Sequence, residues 1–114
     1  MPRMTAEMLK GHLDAVLLAT VEDGALHGYA IIEQIRSRSG GHFDLPEGTI
    51  YPALHRLELA GLLNSHWVQP DGGRKRRVYA LTNIGHRSLV ARRGGWNDFS
   101  AGIDRLLGPR ACPA

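Results

Sequence analysis

Pro70-Asp71-Gly72-Gly73 is a clear turn signal, and it divides two runs of strand-forming residues, Leu63 to Val68 and Arg76 to Leu81. Two such runs flanking a Pro/Gly-rich reversal read as a β-hairpin. On both sides of it the apolar residues repeat at helical period instead. Upstream, Ile50, Ala53, Leu54 and Leu57 recur at i, i+3, i+4, i+7 and stop at Ala60-Gly61. Pro52 has no N–H to donate and is expected close to the first turn, so this helix begins around Glu47 or Gly48. Before it, the segment from Gly28 to Ile35 carries Ile31, Ile32 and Ile35 and ends near Ser39-Gly40-Gly41. A loop from His42 to Pro46 joins the two segments at the spacing of a helix-turn-helix.

The first segment is expected to be helical from Thr5, an N-cap with Glu7 in the favourable first turn, to the Asp23-Gly24 break. At 100° per residue it carries two apolar stripes, Leu9, Leu13, Val16 and Leu17 on one side and Met8, Ala15, Leu18 and Ala19 opposite. A helix on the outside of a monomer needs one such face. The second predicts a partner. Downstream of the hairpin, Thr82 offers an N-cap for a last helix in which Leu89, Trp96 and Ile103 recur every seven residues. Phe99 and Leu106 form the companion row. An a/d seam over about three heptads is the pattern of helix-on-helix association. Gly94-Gly95 interrupts the seam and is expected to weaken or bend the helix, and Gly108-Pro109 ends it. The chain is therefore expected to be mainly α with a small β-hairpin.

Composition narrows the classes of function. In 114 residues, 43% are hydrophobic and 22% charged, the balance of one folded domain rather than a disordered tail. No apolar run approaches the ~18 residues that span a bilayer, and Met1 to Thr5 lead into an amphipathic pattern rather than a signal-peptide core. Cys112 is the only cysteine, which excludes an intramolecular disulfide and a cysteine metal cluster and points to the reducing cytoplasm. The six histidines make no HxxxH or HxH spacing, and no phosphate loop or nucleophile elbow occurs. Neither an enzyme nor a metal or cofactor is expected.

Two features carry the chemistry. Opposite its Ile/Leu stripe the third helix presents Thr49, Tyr51, Pro52, His55 and Arg56. Such a face can lie in a major groove, where Arg pairs with guanine and hydroxyls reach phosphate or base edges. An ordinary solvated helix face carries the same pattern. The hairpin adds Arg74, Lys75, Arg76 and Arg77 in succession, with no acid between Gly72 and the following helix. A charged edge strand protected from aggregation is the bland account of that run. Consecutive cations repel one another unless an anion neutralises them, and a phosphate backbone does so with release of condensed counterions. The two features together favour double-stranded DNA as the partner. A module that docks a protein through the same surfaces is the alternative.

His27-Gly28-Tyr29, Gly48-Thr49-Ile50-Tyr51-Pro52-Ala53-Leu54, Arg56-Leu57-Glu58, Gly61-Leu62-Leu63 and the strand Tyr79-Ala80-Leu81-Thr82 resemble the PadR family of transcriptional regulators, from about Met8 to Leu107. The short length and single C-terminal helix are similar to a small subfamily that includes a drug-binding repressor. The resemblance implies a winged helix-turn-helix domain over residues 5–82 and a dimerisation helix over 83–107. It implies a cytoplasmic homodimer that represses transcription from an inverted-repeat operator. Thr49, Tyr51, Pro52, His55 and Arg56 would then enter the major groove, with Arg74, Lys75 and Arg76 on the backbone or the adjoining minor groove. Half-sites would lie about one helical turn, roughly 10 bp, apart. At Glu47, the entrance of the third helix, the resemblance implies a small hydroxyl residue; the carboxylate found instead favours the helix dipole but repels phosphate.

In the drug-binding relatives, the resemblance also implies a pore at the dimer centre where tryptophans sandwich planar aromatic molecules. The matching positions are Ala15, Ala19, Leu89, Trp96 and Ser100. Met8, Leu89, Trp96, Phe99, Ile103 and Leu106 would form the dimer interface. The alternative for Trp96 is that it simply plugs the dimer core beside Phe99.

Overall fold

The computed structural model describes residues 9–108. Thr5, Glu7, Met8 and Cys112 lie outside the described residues, and with them the expected start of the first helix and the interface position of Met8. In chain order the elements are α1 (Leu13–Thr20), β1 (Leu26–His27), α2 (Gly28–Arg38), α3 (Glu47–Leu59), β2 (Leu63–Val68), β3 (Arg76–Leu81) and α4 (Asn83–Leu107). The fold is mainly helical with one small antiparallel sheet, as the patterning predicts. The hairpin strands pair from Leu63↔Leu81 to Val68↔Arg76. Gly72, at φ 69°, makes the reversal between them, and the Gly73 N–H donates to the Pro70 carbonyl at 2.8 Å. The sheet has a third strand that alternation could not reveal. β1 is two residues long and pairs with β3 through Leu26↔Tyr79 and His27↔Val78, which places β3 in the middle.

The first helix is shorter than its apolar pattern suggests. Gly11 adopts φ 87°, a left-handed conformation no helix can pass through, and α1 starts only at Leu13. Leu9 reaches the core from a turn closed by the His12 N–H on the Leu9 carbonyl at 2.7 Å. At the other end α1 stops at Thr20 rather than at Asp23-Gly24. The expected two-sided burial is also redistributed. Leu17 and Leu18, drawn from opposite stripes, are both fully buried in this chain's own core, while Ala15, Val16 and Ala19 border an open groove.

The core lies where α1, α2 and α3 meet one face of the sheet. Ile31, Ile32 and Ile35 of α2 and Ile50, Ala53, Leu54 and Leu57 of α3 supply its centre. Pro52 falls in the second turn of α3, and the carbonyl it leaves without an N–H is that of Gly48, which is exposed to solvent. The helix runs on through it. At its C-terminus Gly61, at φ 82°, forms a Schellman turn: the Leu62 N–H donates to the Leu57 carbonyl and the Gly61 N–H to that of Glu58, both at 3.0 Å.

That turn is joined directly to the start of α4. The Thr82 hydroxyl accepts from the Gly85 N–H at 2.9 Å and donates to the Gly61 carbonyl at 2.7 Å. Gly85 lies so close to Leu62 that a Cβ there would run into the Leu62 carbonyl and the Leu81 side chain. The Leu81-Thr82-Asn83-Ile84-Gly85 stretch thus carries one joint between the sheet, α3 and α4. Beyond it Leu89 buries in the core, and α4 continues without a break through Gly94 and Gly95. Among the described residues no helix is long and apolar enough to cross a membrane.

The two kinds of glycine predict opposite outcomes. Gly85→Ala is expected to destabilise the fold by about 1–3 kcal/mol through overpacking. Gly94, with open space around its Cα, is expected to gain about 0.5–1 kcal/mol on replacement by Ala. Chemical denaturation of both variants checks this, and equal stabilities would contradict the joint described.

Candidate functional site

Because Ile50, Ala53, Leu54 and Leu57 face the core, α3 turns its other side outward, and Tyr51, Pro52, His55 and Arg56 are exposed with Thr49 half-buried beside them. The aromatic ring of Tyr51 lies over the start of α2. Gly28 makes this possible, since a Cβ there would enter the Tyr51 ring. The HGY and GTIYPAL stretches are therefore two halves of one contact. Partial burial of that ring holds the Tyr51 phenol above its ordinary value.

His27 caps α2, its Nδ1 accepting from the Ala30 N–H at 3.1 Å. Its other ring nitrogen, Nε2, stands 3.0 Å from Nη1 of Arg76, within hydrogen-bond distance of the hairpin. Tyr29, Tyr51, Trp67, Lys75 and Arg77 complete the walls of this cleft, whose volume is about 370 Å³. α3 and the hairpin cations thus border the same concave, cationic and aromatic surface.

The four consecutive cations divide into two kinds. Arg74, Lys75 and Arg76 stand exposed towards the hairpin tip. Arg77 turns back onto its own domain: its Nε donates to the Ser65 hydroxyl at 2.8 Å, Nη2 lies 3.4 Å from Glu58, and the guanidinium sits 5.5 Å from the Trp67 ring centroid. The Ser65 hydroxyl and then Arg77 hold the Glu58 carboxyl below its usual range. Arg77 therefore ties the sheet to one edge of α3. The opposite edge is tied to α1, where both terminal nitrogens of Arg56 donate to Asp14 at 2.9 and 2.7 Å. Arg56, expected at base edges, is held by a carboxylate here, a contact 42 residues away in sequence.

A second surface lies between α1 and α4, a groove of about 630 Å³ with mostly apolar walls. Ala15, Ala19, Leu89 and Trp96 line it together, whereas Ser100 lies outside the lining, its hydroxyl on the Asn97 carbonyl at 3.2 Å. Sequence reasoning missed five of its walls: Lys10, His12, Phe43, Arg92 and Arg93. The His12 ring meets Trp96 edge-on at 5.0 Å between centroids, and Trp96 in turn meets Phe99 at 5.9 Å. Arg93 reaches across to Glu22 with two bonds of 3.2 and 2.9 Å and so bolts α4 to the end of α1. Further along α4 the heptad row stands in the open, with Trp96 48%, Phe99 55%, Ile103 37% and Leu106 83% exposed, while Leu89 at its head is buried within its own chain. Among the described residues no group of His, Cys, Asp and Glu is arranged to hold a metal ion.

The chain matches the transcriptional regulator PadR-like family over residues 17–91. It is similar to the crystal structure of a PadR family transcription regulator from Clostridium difficile, at 34% identity and TM-score 0.76, covering 86% of this chain and all of that one. A PadR-like transcriptional regulator from Bacillus cereus superposes with TM-score 0.78 at 26% identity, over 91% of this chain and 99% of the other. A transcriptional regulator of Mycobacterium tuberculosis is 40% identical over 74 residues, a match that spans 65% of each chain. These regulators are not enzymes. The patch of outward helix and cationic hairpin described above lies on a chain that belongs to the PadR-like family of transcriptional regulators.

Proposed function

We propose that the protein is a sequence-specific DNA-binding repressor that acts as a homodimer on an inverted-repeat operator, with residues 5–82 as its winged domain and 83–107 as its dimerisation helix. The observation that carries this reading is the shared cleft in which Tyr51 of α3 and Lys75 and Arg76 of the hairpin face one another. Thr49, Tyr51, Pro52, His55 and Arg56 would meet base edges and flanking phosphates. Arg74, Lys75 and Arg76 would meet the backbone beside them. The exposed row of Trp96, Phe99, Ile103 and Leu106 supports a second copy as the cover of α4. The groove between α1 and α4 supports a planar apolar effector stacked on Trp96, with Ala15 and Ala19 leaving room for it.

The direct test is a mobility shift of a fragment of the protein's own promoter at moderate salt with unlabelled competitor present. Specific retardation is expected, and its absence would favour a module that docks protein instead. Arg76→Ala is expected to weaken binding to every sequence and to reduce the salt slope by about one. An unchanged slope would remove this cation from the interface. Ile103→Glu is expected to convert a dimer to a folded monomer in sedimentation and to weaken operator binding on the order of 100-fold. A dimer that survives this change would move the interface elsewhere. A planar apolar dye is expected to quench tryptophan emission in the wild type and not in Trp96→Ala. Identical quenching in both would leave Trp67 as the reporter and the groove empty.

A further inference from the structure

Asp14 sits in the first turn of α1 between two guanidiniums from separate parts of the molecule. On one side Arg56, the only Lys or Arg of α3, donates to both of its oxygens at 2.9 and 2.7 Å. On the other, Nη2 of Arg92 in α4 stands 3.9 Å from Oδ2, with the same guanidinium anchored on the Ser88 hydroxyl at 2.9 Å. The residues that follow Asp14 on α1, Ala15, Val16 and Ala19, face the groove, and so does Arg92. One carboxylate therefore touches the outward helix and the groove wall at once. The Arg56 hydrogen bonds hold its carboxyl below the usual range against the opposing effect of burial.

We propose that Asp14 is a positioning residue that restrains Arg56 at the edge of α3, and that Arg92 adjusts the restraint from the groove wall. The proposal rests on the reading of α3 as the DNA-reading helix. A guanidinium in a bidentate carboxylate pair has its charge neutralised and its fork occupied, so it meets phosphate or guanine only by exchanging that partner. The side chains of Arg56 and Asp14 are 57% and 21% exposed, so solvent screens the pair and exchange is cheap. When DNA takes Arg56, the charge of Asp14 passes to Arg92. When an occupant of the groove draws Arg92 away, Asp14 holds Arg56 more tightly. Groove occupancy and DNA affinity then oppose one another, and the coupling acts equally in both directions.

The test is a double-mutant cycle on a duplex that the wild-type protein selects from a random-sequence pool. Asp14→Asn is expected to raise affinity about two- to fivefold and to steepen the salt slope by about one. In an Arg56→Ala background the gain is expected to shrink to the small, sequence-independent effect of removing one surface charge. Asp14→Glu is expected to restore wild-type behaviour, and Asp14→Ala is read in the same cycle should the amide fail to fold. Arg92→Ala is expected to weaken binding in the wild type and to add nothing in the Asp14→Asn background. Equal gains with and without Arg56, or a loss of affinity on freeing it, would overturn the restraint while leaving the functional reading intact. A wild-type protein that selects no duplex at all would overturn that reading, and this proposal with it.

Discussion

Ile50, Ala53, Leu54 and Leu57 carry α3 into the core, and a helix fixed so firmly on one side has no choice about the side it shows. Full burial of an Ile or Leu side chain is worth about 1.5–3 kcal/mol, and three such residues on one stripe outweigh anything the helix surface can oppose to it. The ion pairs at its two edges, Arg56 with Asp14 and Glu58 with Arg77, are partly exposed and contribute about 0–1 kcal/mol each. Burial therefore decides the orientation of α3, and the pairs hold its edges to α1 and to the sheet. This division suits the recognition role proposed for α3: its placement is robust, while the contacts bordering its outward face can be exchanged.

Two glycines let the surrounding elements come close enough for that placement to matter. Without Gly28 the Tyr51 ring could not lie over the start of α2, and the cleft between α3 and the hairpin would lose one wall. Without Gly85 the first turn of α4 could not lie against the Leu62 carbonyl, where Thr82 links the end of α3 to the beginning of α4. The first half of α4 is in this way an extension of the domain. The second half projects with its apolar row uncovered. A long helix rooted in one domain and bare at its far end is suited to joining two copies.

Much of this was legible from residue spacing, and the reasons differ by element. Pro52 and the Ile50/Leu57 stripe bound α3 to within a residue, and the Gly/Pro turn placed both long strands, because in each case a strong local signal agrees with the packing. The first segment shows the opposite case. Its apolar period continues through Gly11, yet that glycine adopts a positive φ, and Leu9 reaches the core from a turn instead of a helix. β1 escaped notice because two residues show no alternation and pair only through β3, about fifty residues downstream. Gly94-Gly95, expected to weaken or bend α4, is passed without interruption, since Ala91, Arg92 and Arg93 before it are good helix formers and Thr82 caps the helix. At the candidate site, the outward face of α3 and the cation run were visible from periodicity alone. The pairings of Arg56 with Asp14 and of Arg77 with Glu58 were not, because each joins residues whose proximity is created only by the fold.

In the proposed function, two α3 faces are presented together by a pair of chains joined along α4. The stoichiometry of the DNA complex in solution tests that arrangement most directly. Mass photometry or sedimentation of the protein with a duplex carrying two inverted half-sites should show two chains per duplex, bound together and with no stable one-chain complex. A duplex carrying one half-site should bind far more weakly. One chain per duplex, with equal affinity for one half-site and for two, would contradict the account at its centre.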